Sequence, residues 1–123
     1  MDAPLILIVE DDNQVRITLA TFLEQKGYRL ALANDGAVGA DILRATQPAL
    51  LIADVRLQGG NGEDLAKLAH AMGIPVLLMS GEPRAIEQLR GGALSFLQKP
   101  FRLAVLEREI EKLLGGGETL REG

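Results

Sequence analysis

Residues 5–23 read LILIVEDDNQVRITLATFL: an apolar run from Leu5 to Val9, an acidic turn at Glu10-Asp11-Asp12, then apolar residues at helical spacing. Val15, Leu19, Phe22 and Leu23 share one stripe of the helix, which opens at Asp12 or Asn13 and stops at Gly27, a residue free to adopt the left-handed cap. A buried strand feeding directly into an amphipathic helix is the unit of a parallel sheet.

The unit recurs outward from there. Further short apolar runs lie at Tyr28 to Ala33, Ala49 to Ala53, Pro75 to Met79 and Leu94 to Leu97. Between them fall four more helical patterns. Helix two starts at Asp35, is predicted to bury Val38, Ile42 and Ala45, and is broken at Gln47-Pro48. Helix three carries Leu65, Leu68 and Met72 and ends at Gly73; a short helix four runs from Pro83 to the Gly91-Gly92 pair, with Ile86 and Leu89 inward. Helix five, from Leu103 to Leu114, places Leu103, Leu106, Ile110 and Leu113 on one face. The order is strand then helix, five times over, which predicts an α/β fold: one doubly wound, five-stranded parallel sheet. Residues 1–114 fit one domain, and 115–123, opening on Gly115-Gly116-Gly117, read as a flexible tail or linker stub.

Composition narrows the function. Of 123 residues, 47% are hydrophobic and 24% charged, which suits a soluble folded chain. The net charge of −4 offers no electrostatic footprint for a nucleic-acid backbone, so no nucleic-acid partner is expected for this chain alone. The absence of cysteine removes thiol catalysis and zinc-thiolate sites, and suits a reducing compartment. No apolar stretch approaches the roughly 20 residues that span a bilayer. A cytoplasmic location without membrane contact is the expectation.

In open parallel sheets the functional crevice lies at the carboxyl ends of the strands. Strand one ends in Glu10-Asp11-Asp12, strand three in Asp54, strand four in Ser80-Gly81 and strand five in Lys99-Pro100. Clustered carboxylates repel unless a cation joins them. Oxygen donors alone select a hard ion such as Mg²⁺, with Mn²⁺ able to stand in. Lys99 supplies a second positive charge and Ser80 a hydroxyl donor, and Asp54 is the natural nucleophile toward phosphorus.

Four pieces, Ile8-Val9-Glu10-Asp11-Asp12, Ala53-Asp54-Val55-Arg56-Leu57, Met79-Ser80-Gly81 and Phe96-Leu97-Gln98-Lys99-Pro100-Phe101, together resemble the receiver domain of two-component response regulators. The resemblance covers roughly residues 4–114. It implies that Asp54 is the phosphoacceptor and that Mg²⁺ is held by Asp11, Asp54 and the backbone carbonyl of Arg56. Glu10 would stand behind these or act through water. It further implies that Ser80 is the switch hydroxyl, Lys99 the lysine that pairs with the phosphoryl group, Pro100 the residue after a cis peptide bond, and Phe96 the aromatic that couples the site to the helix four, strand five, helix five face. The implied partners are a sensor histidine kinase or a histidine phosphotransfer protein, and an unknown downstream protein target. Such a chain is a switch that catalyses only its own phosphorylation and dephosphorylation.

Departures from the family pattern add expectations. Helix four is about a turn short. Gln58 replaces a common proline, which predicts a looser loop after the acceptor. Arg56 and Glu82 flank the site and are placed to meet across it, slowing attack by water. Asp12 reads as a helix cap, Gly59-Gly60-Asn61-Gly62 as a tight turn into helix three rather than a phosphate cradle, and His70 as a surface residue. A phosphohydrolase would need a carboxylate two residues beyond the nucleophile, where Arg56 stands. A protein-interaction module that keeps the fold and signals without phosphorylation is the remaining alternative.

Overall fold

In the computed structural model, which describes residues 3–82 and 95–115, five parallel strands form one sheet in the order β2-β1-β3-β6-β7. These are β1 (Leu5–Val9), β2 (Arg29–Ala33), β3 (Leu50–Asp54), β6 (Val76–Ser80) and β7 (Ser95–Gln98). A two-stranded antiparallel hairpin, β4 (Arg56–Leu57) with β5 (Gly60–Asn61), stands beyond the end of β3. The described helices are α1 (Asn13–Gln25), α2 (Gly36–Thr46), α3 (Gly62–Ala71) and a last helix, Leu103–Leu113.

The central strands are apolar up to the ends of β3 and β6, at Asp54 and Ser80, because both faces are covered, and side-chain alternation splits them between two cores. Leu7, Val9, Leu51, Ala53 and Leu78 point toward α2 and α3, where they meet Leu43, Leu65, Ala66 and Ala69. Ile6, Ile8, Ile52, Leu77 and Met79 point the other way, onto Leu19 and Leu23 of α1 and Leu106 and Ile110 of the last helix. Register then sets the functional edge: Val9 pairs with Ala53, Asp54 with Met79 and Ser80 with Gln98, so the residues that follow these strands arrive together.

Local caps explain the boundaries. Asp12, Asp35 and Asn61 each accept a backbone N–H three residues on, and these bonds open α1, α2 and α3. The N–H of Tyr28 bonds back to the Leu23 carbonyl as part of the α1 terminus, so β2 starts at Arg29 rather than at Tyr28. Gln47, at φ 46°, and Pro48 end α2.

Two expectations change. The buried residues of α2 are Gly36, Gly39 and Leu43, with Ile42 partly buried against the same core as expected, while Val38 is 42% exposed and Ala45 is exposed. The helix packs through its glycines: a Cβ on Gly39 would lie 2.9 Å from a Val9 methyl, and this close approach turns Val38 outward. The loop after Asp54 is also ordered into the hairpin, with the Gln58 carbonyl accepting the Gly36 N–H at 2.8 Å, so Gln58 does not loosen it. The short helix four of the sequence reading, and the tail from residue 116, lie outside the described residues.

Leu43→Ala is expected to destabilise by about 3 kcal/mol and Val38→Ala by less than about 0.5 kcal/mol, read by urea denaturation. Equal costs would contradict this orientation of α2.

Candidate functional site

Glu10 directly follows β1 and is almost fully buried, at 1% exposure. Its backbone is held from two sides: the N–H donates to the Ala33 carbonyl at 3.1 Å, and the carbonyl accepts an N–H of the Arg16 guanidinium at 2.8 Å. One carboxylate oxygen accepts the Asp12 N–H at 3.1 Å and the other accepts the Lys99 ammonium at 2.6 Å. Lys99 arrives from the opposite side of the sheet centre, where its N–H donates to the Ser80 carbonyl at 2.8 Å. The Lys99–Pro100 peptide is cis.

The same ammonium donates to Asp54 Oδ2, so one lysine ties together carboxylates from two strands. Asp54 Oδ1 accepts the Arg56 N–H at 2.9 Å, which folds the chain back over the Asp54 carboxylate. Burial alone would lower the Lys99 pKa, but the hydrogen bonds and charges of Asp54 and Glu10 outweigh it and raise the value, keeping the ammonium charged. Burial raises the Glu10 carboxyl above the usual range, and Lys99 only partly offsets that effect.

Around this triad, Ser80 is buried at the end of β6 and its hydroxyl accepts the Glu82 N–H at 3.0 Å. The Arg56 guanidinium and Glu82 carboxylate form a two-point ion pair, at 2.6 and 2.8 Å, at the exposed rim. Asp11 is exposed beside Glu10. Phe96, half-buried in β7, packs against the core shared with α2 and α3. His70 is exposed on α3 and remote from the triad in sequence and sheet order. Arg16 is the residue that the sequence reading missed: an arginine one turn into a helix reads as surface, and nothing in its spacing announces that it clamps the carbonyl of the acidic turn.

Lys99 offsets just one of the charges of Glu10, Asp11 and Asp54, so the edge stays negative and suited to a further cation. The oxygens available are carboxylates and the Arg56 carbonyl, all hard donors. Among the described residues no three His, Cys, Asp or Glu side chains gather into a cage. Mg²⁺, which binds through one or two carboxylates and keeps several waters, suits such a donor set.

An open parallel sheet with a lysine-bridged acidic cluster at its carboxyl edge is the architecture of a CheY-like signalling domain, and the comparisons agree. The family model described as "Response regulator receiver domain" matches residues 6–111. The chain is 31% identical over 119 residues to the transcriptional regulatory protein AfsQ1 of Streptomyces coelicolor, covering 94% of this chain and 53% of that protein. It is 32% identical over 114 residues to the response regulator MprA of Mycobacterium avium, covering 89% and 50% respectively. Among solved structures, the non-phosphorylated HemR receiver domain of Leptospira biflexa is 35% identical with a TM-score of 0.79, covering 90% of this chain and 94% of that one. A CheY-like receiver domain protein of Methanospirillum hungatei matches with a TM-score of 0.83 at 25% identity, covering 99% and 100%. This chain belongs to the response regulator receiver domain family, and its place is in two-component signal transduction. It spans about half the length of the curated relatives it matches.

Lys99→Met would strand a buried carboxylate, and breaking such a pair costs about 3 kcal/mol. Glu10 would then sit still further above its usual pKa. Its neutral form would be favoured in the fold, so the deficit is largest near neutral pH and shrinks as pH falls toward about 4.3. Chemical denaturation across pH measures this; a deficit independent of pH would contradict the pairing.

Proposed function

We propose that Asp54 accepts a phosphoryl group from a phosphohistidine on a sensor histidine kinase or histidine phosphotransfer protein. The observation that carries this reading is the Asp54 carboxylate held between the Lys99 ammonium and the Arg56 N–H at the open edge of the sheet. An Asp54 oxygen attacks phosphorus while the bond from phosphorus to imidazole nitrogen breaks. The electron pair stays on that nitrogen, which takes up a proton. Such a transfer depends on placement and charge neutralisation more than on covalent help. Lys99 offsets the growing negative charge and Ser80 donates a hydrogen bond to the phosphoryl oxygens. Asp11, Asp54 and the Arg56 carbonyl would hold Mg²⁺, with Glu10 behind them. The ion would supply Lewis-acid neutralisation of the phosphoryl oxygens.

A groove of about 570 Å³ opens beside Lys99, between α1 and the segment that follows β7, and Val15, Leu19, Phe101 and Leu103 give it an apolar lining. It supports approach of a protein donor from that side. Once Asp54 carries phosphate, Ser80 and Phe96 bias the face built on β7 and the last helix, and that face meets the downstream target. The chain acts in a reducing cytoplasm and as a switch, with no turnover beyond its own phosphate.

Incubation with Mg²⁺ and acetyl phosphate, followed by intact mass, is expected to show one labile phosphate adduct that Asp54→Ala abolishes. Absence of any adduct would instead favour an interaction module that signals without phosphorylation. The Arg56–Glu82 pair screens the acyl phosphate from water in this reading. Arg56→Ala is expected to shorten the adduct lifetime about fivefold, equivalent to ~1 kcal/mol of barrier. An unchanged lifetime would remove that role from the pair.

A further inference from the structure

Two glycines outside the charged cluster meet the acceptor loop by close backbone approach. Gly62, the first residue of α3, has a conformation open to any residue, yet a Cβ there would lie 2.2 Å from the Asp54 carbonyl oxygen and 2.9 Å from Val55 Cα. Its N–H donates to the Val55 carbonyl at 2.9 Å. Gly36, the first residue of α2, would place a Cβ 3.0 Å from both the Gly59 oxygen and Gly60 Cα, and its N–H donates to the Gln58 carbonyl at 2.8 Å. The loop that carries Arg56 is thus gripped at its tip by α2 and at its return by α3. Both helix starts are in turn fixed by their Asp35 and Asn61 caps.

We propose that Gly62 and Gly36 are positioning residues, a clasp that sets where the Asp54 backbone and the Arg56 carbonyl stand. The clasp rests on the phosphoacceptor reading for its consequence, though not for its geometry. A methyl at Gly62 cannot be absorbed by a flexible side chain, because the three atoms nearest to it are all backbone, so the Asp54 backbone or the helix start must move, by about an ångström to restore ordinary contact. Displacements of that size can cost up to ~10²-fold in a positioned reaction.

The test compares Gly62→Ala and Gly36→Ala with Gly73→Ala. Gly73 has φ +76° and no atom within 4 Å of a would-be Cβ, so its substitution destabilises through backbone strain alone and away from the loop. Three quantities are read below the unfolding transition: the Asp54 and Arg56 amide resonances of the metal-free protein, the Mg²⁺ dissociation constant, and the rate of adduct formation with acetyl phosphate. Gly62→Ala is expected to shift both resonances and to lower the rate at least about tenfold. Gly36→Ala should give a smaller loss in the same direction, and it decides the matter if Gly62→Ala does not fold. The Gly73→Ala protein should match the wild type in all three. Resonances unmoved in both loop variants, or losses equal to those of Gly73→Ala, would overturn the clasp. If the wild type forms no adduct, the phosphoacceptor reading fails, while the resonance shifts still judge the clasp.

Discussion

One ammonium group shared by two carboxylates governs this molecule's functional edge. The parallel sheet buries apolar strands on both faces, and polar residues that continue those strands are forced out together at their carboxyl ends. Glu10 is the sharpest case, a nearly fully buried carboxylate whose compensation is the Lys99 ammonium. The same ammonium reaches Asp54, so the charge that makes burial of Glu10 tolerable also holds the Asp54 carboxylate in place. Stability and chemistry therefore share one contact, which fits the general tendency of functional clusters to carry local electrostatic cost.

Much of this was legible in the amino-acid order because burial on both faces imposes continuous apolar runs. The runs Leu5 to Val9, Ala49 to Ala53 and Pro75 to Met79 show it most clearly, and the residues that follow them are Glu10, Asp54 and Ser80, located without tertiary information. The orientation of α2 was not legible. Hydrophobicity points to Val38, whereas the buried positions are Gly36, Gly39 and Leu43, with Ile42 beside them, chosen by how closely backbone can approach the sheet. Close approach leaves no trace in a hydrophobic pattern. The hairpin β4–β5 was hidden for a similar reason: two-residue strands carry no periodicity, and Gln58 suggested slack where backbone pairing in fact orders the loop. Arg16 escaped because a side chain bonded to a backbone carbonyl leaves no pattern of spacing.

The proposed clasp and the charged triad would form a layered support. Lys99 holds the Asp54 side chain, the Arg56 N–H holds its second oxygen, and the glycine contacts hold the loop from which that N–H comes. Under the proposed phosphoryl transfer this positional precision matters, since such a reaction draws more on placement than on covalent intervention. The two-point Arg56–Glu82 pair then closes the rim across two loops that the sheet order brings side by side.

The most direct test is heteronuclear NMR of the Lys99 ammonium in the intact chain. If Lys99 bridges Glu10 and Asp54, its ammonium nitrogen should show slow proton exchange with water and couplings across hydrogen bonds to the carboxyl carbons of both residues. A rapidly exchanging ammonium, coupled to neither carboxylate, would contradict the account.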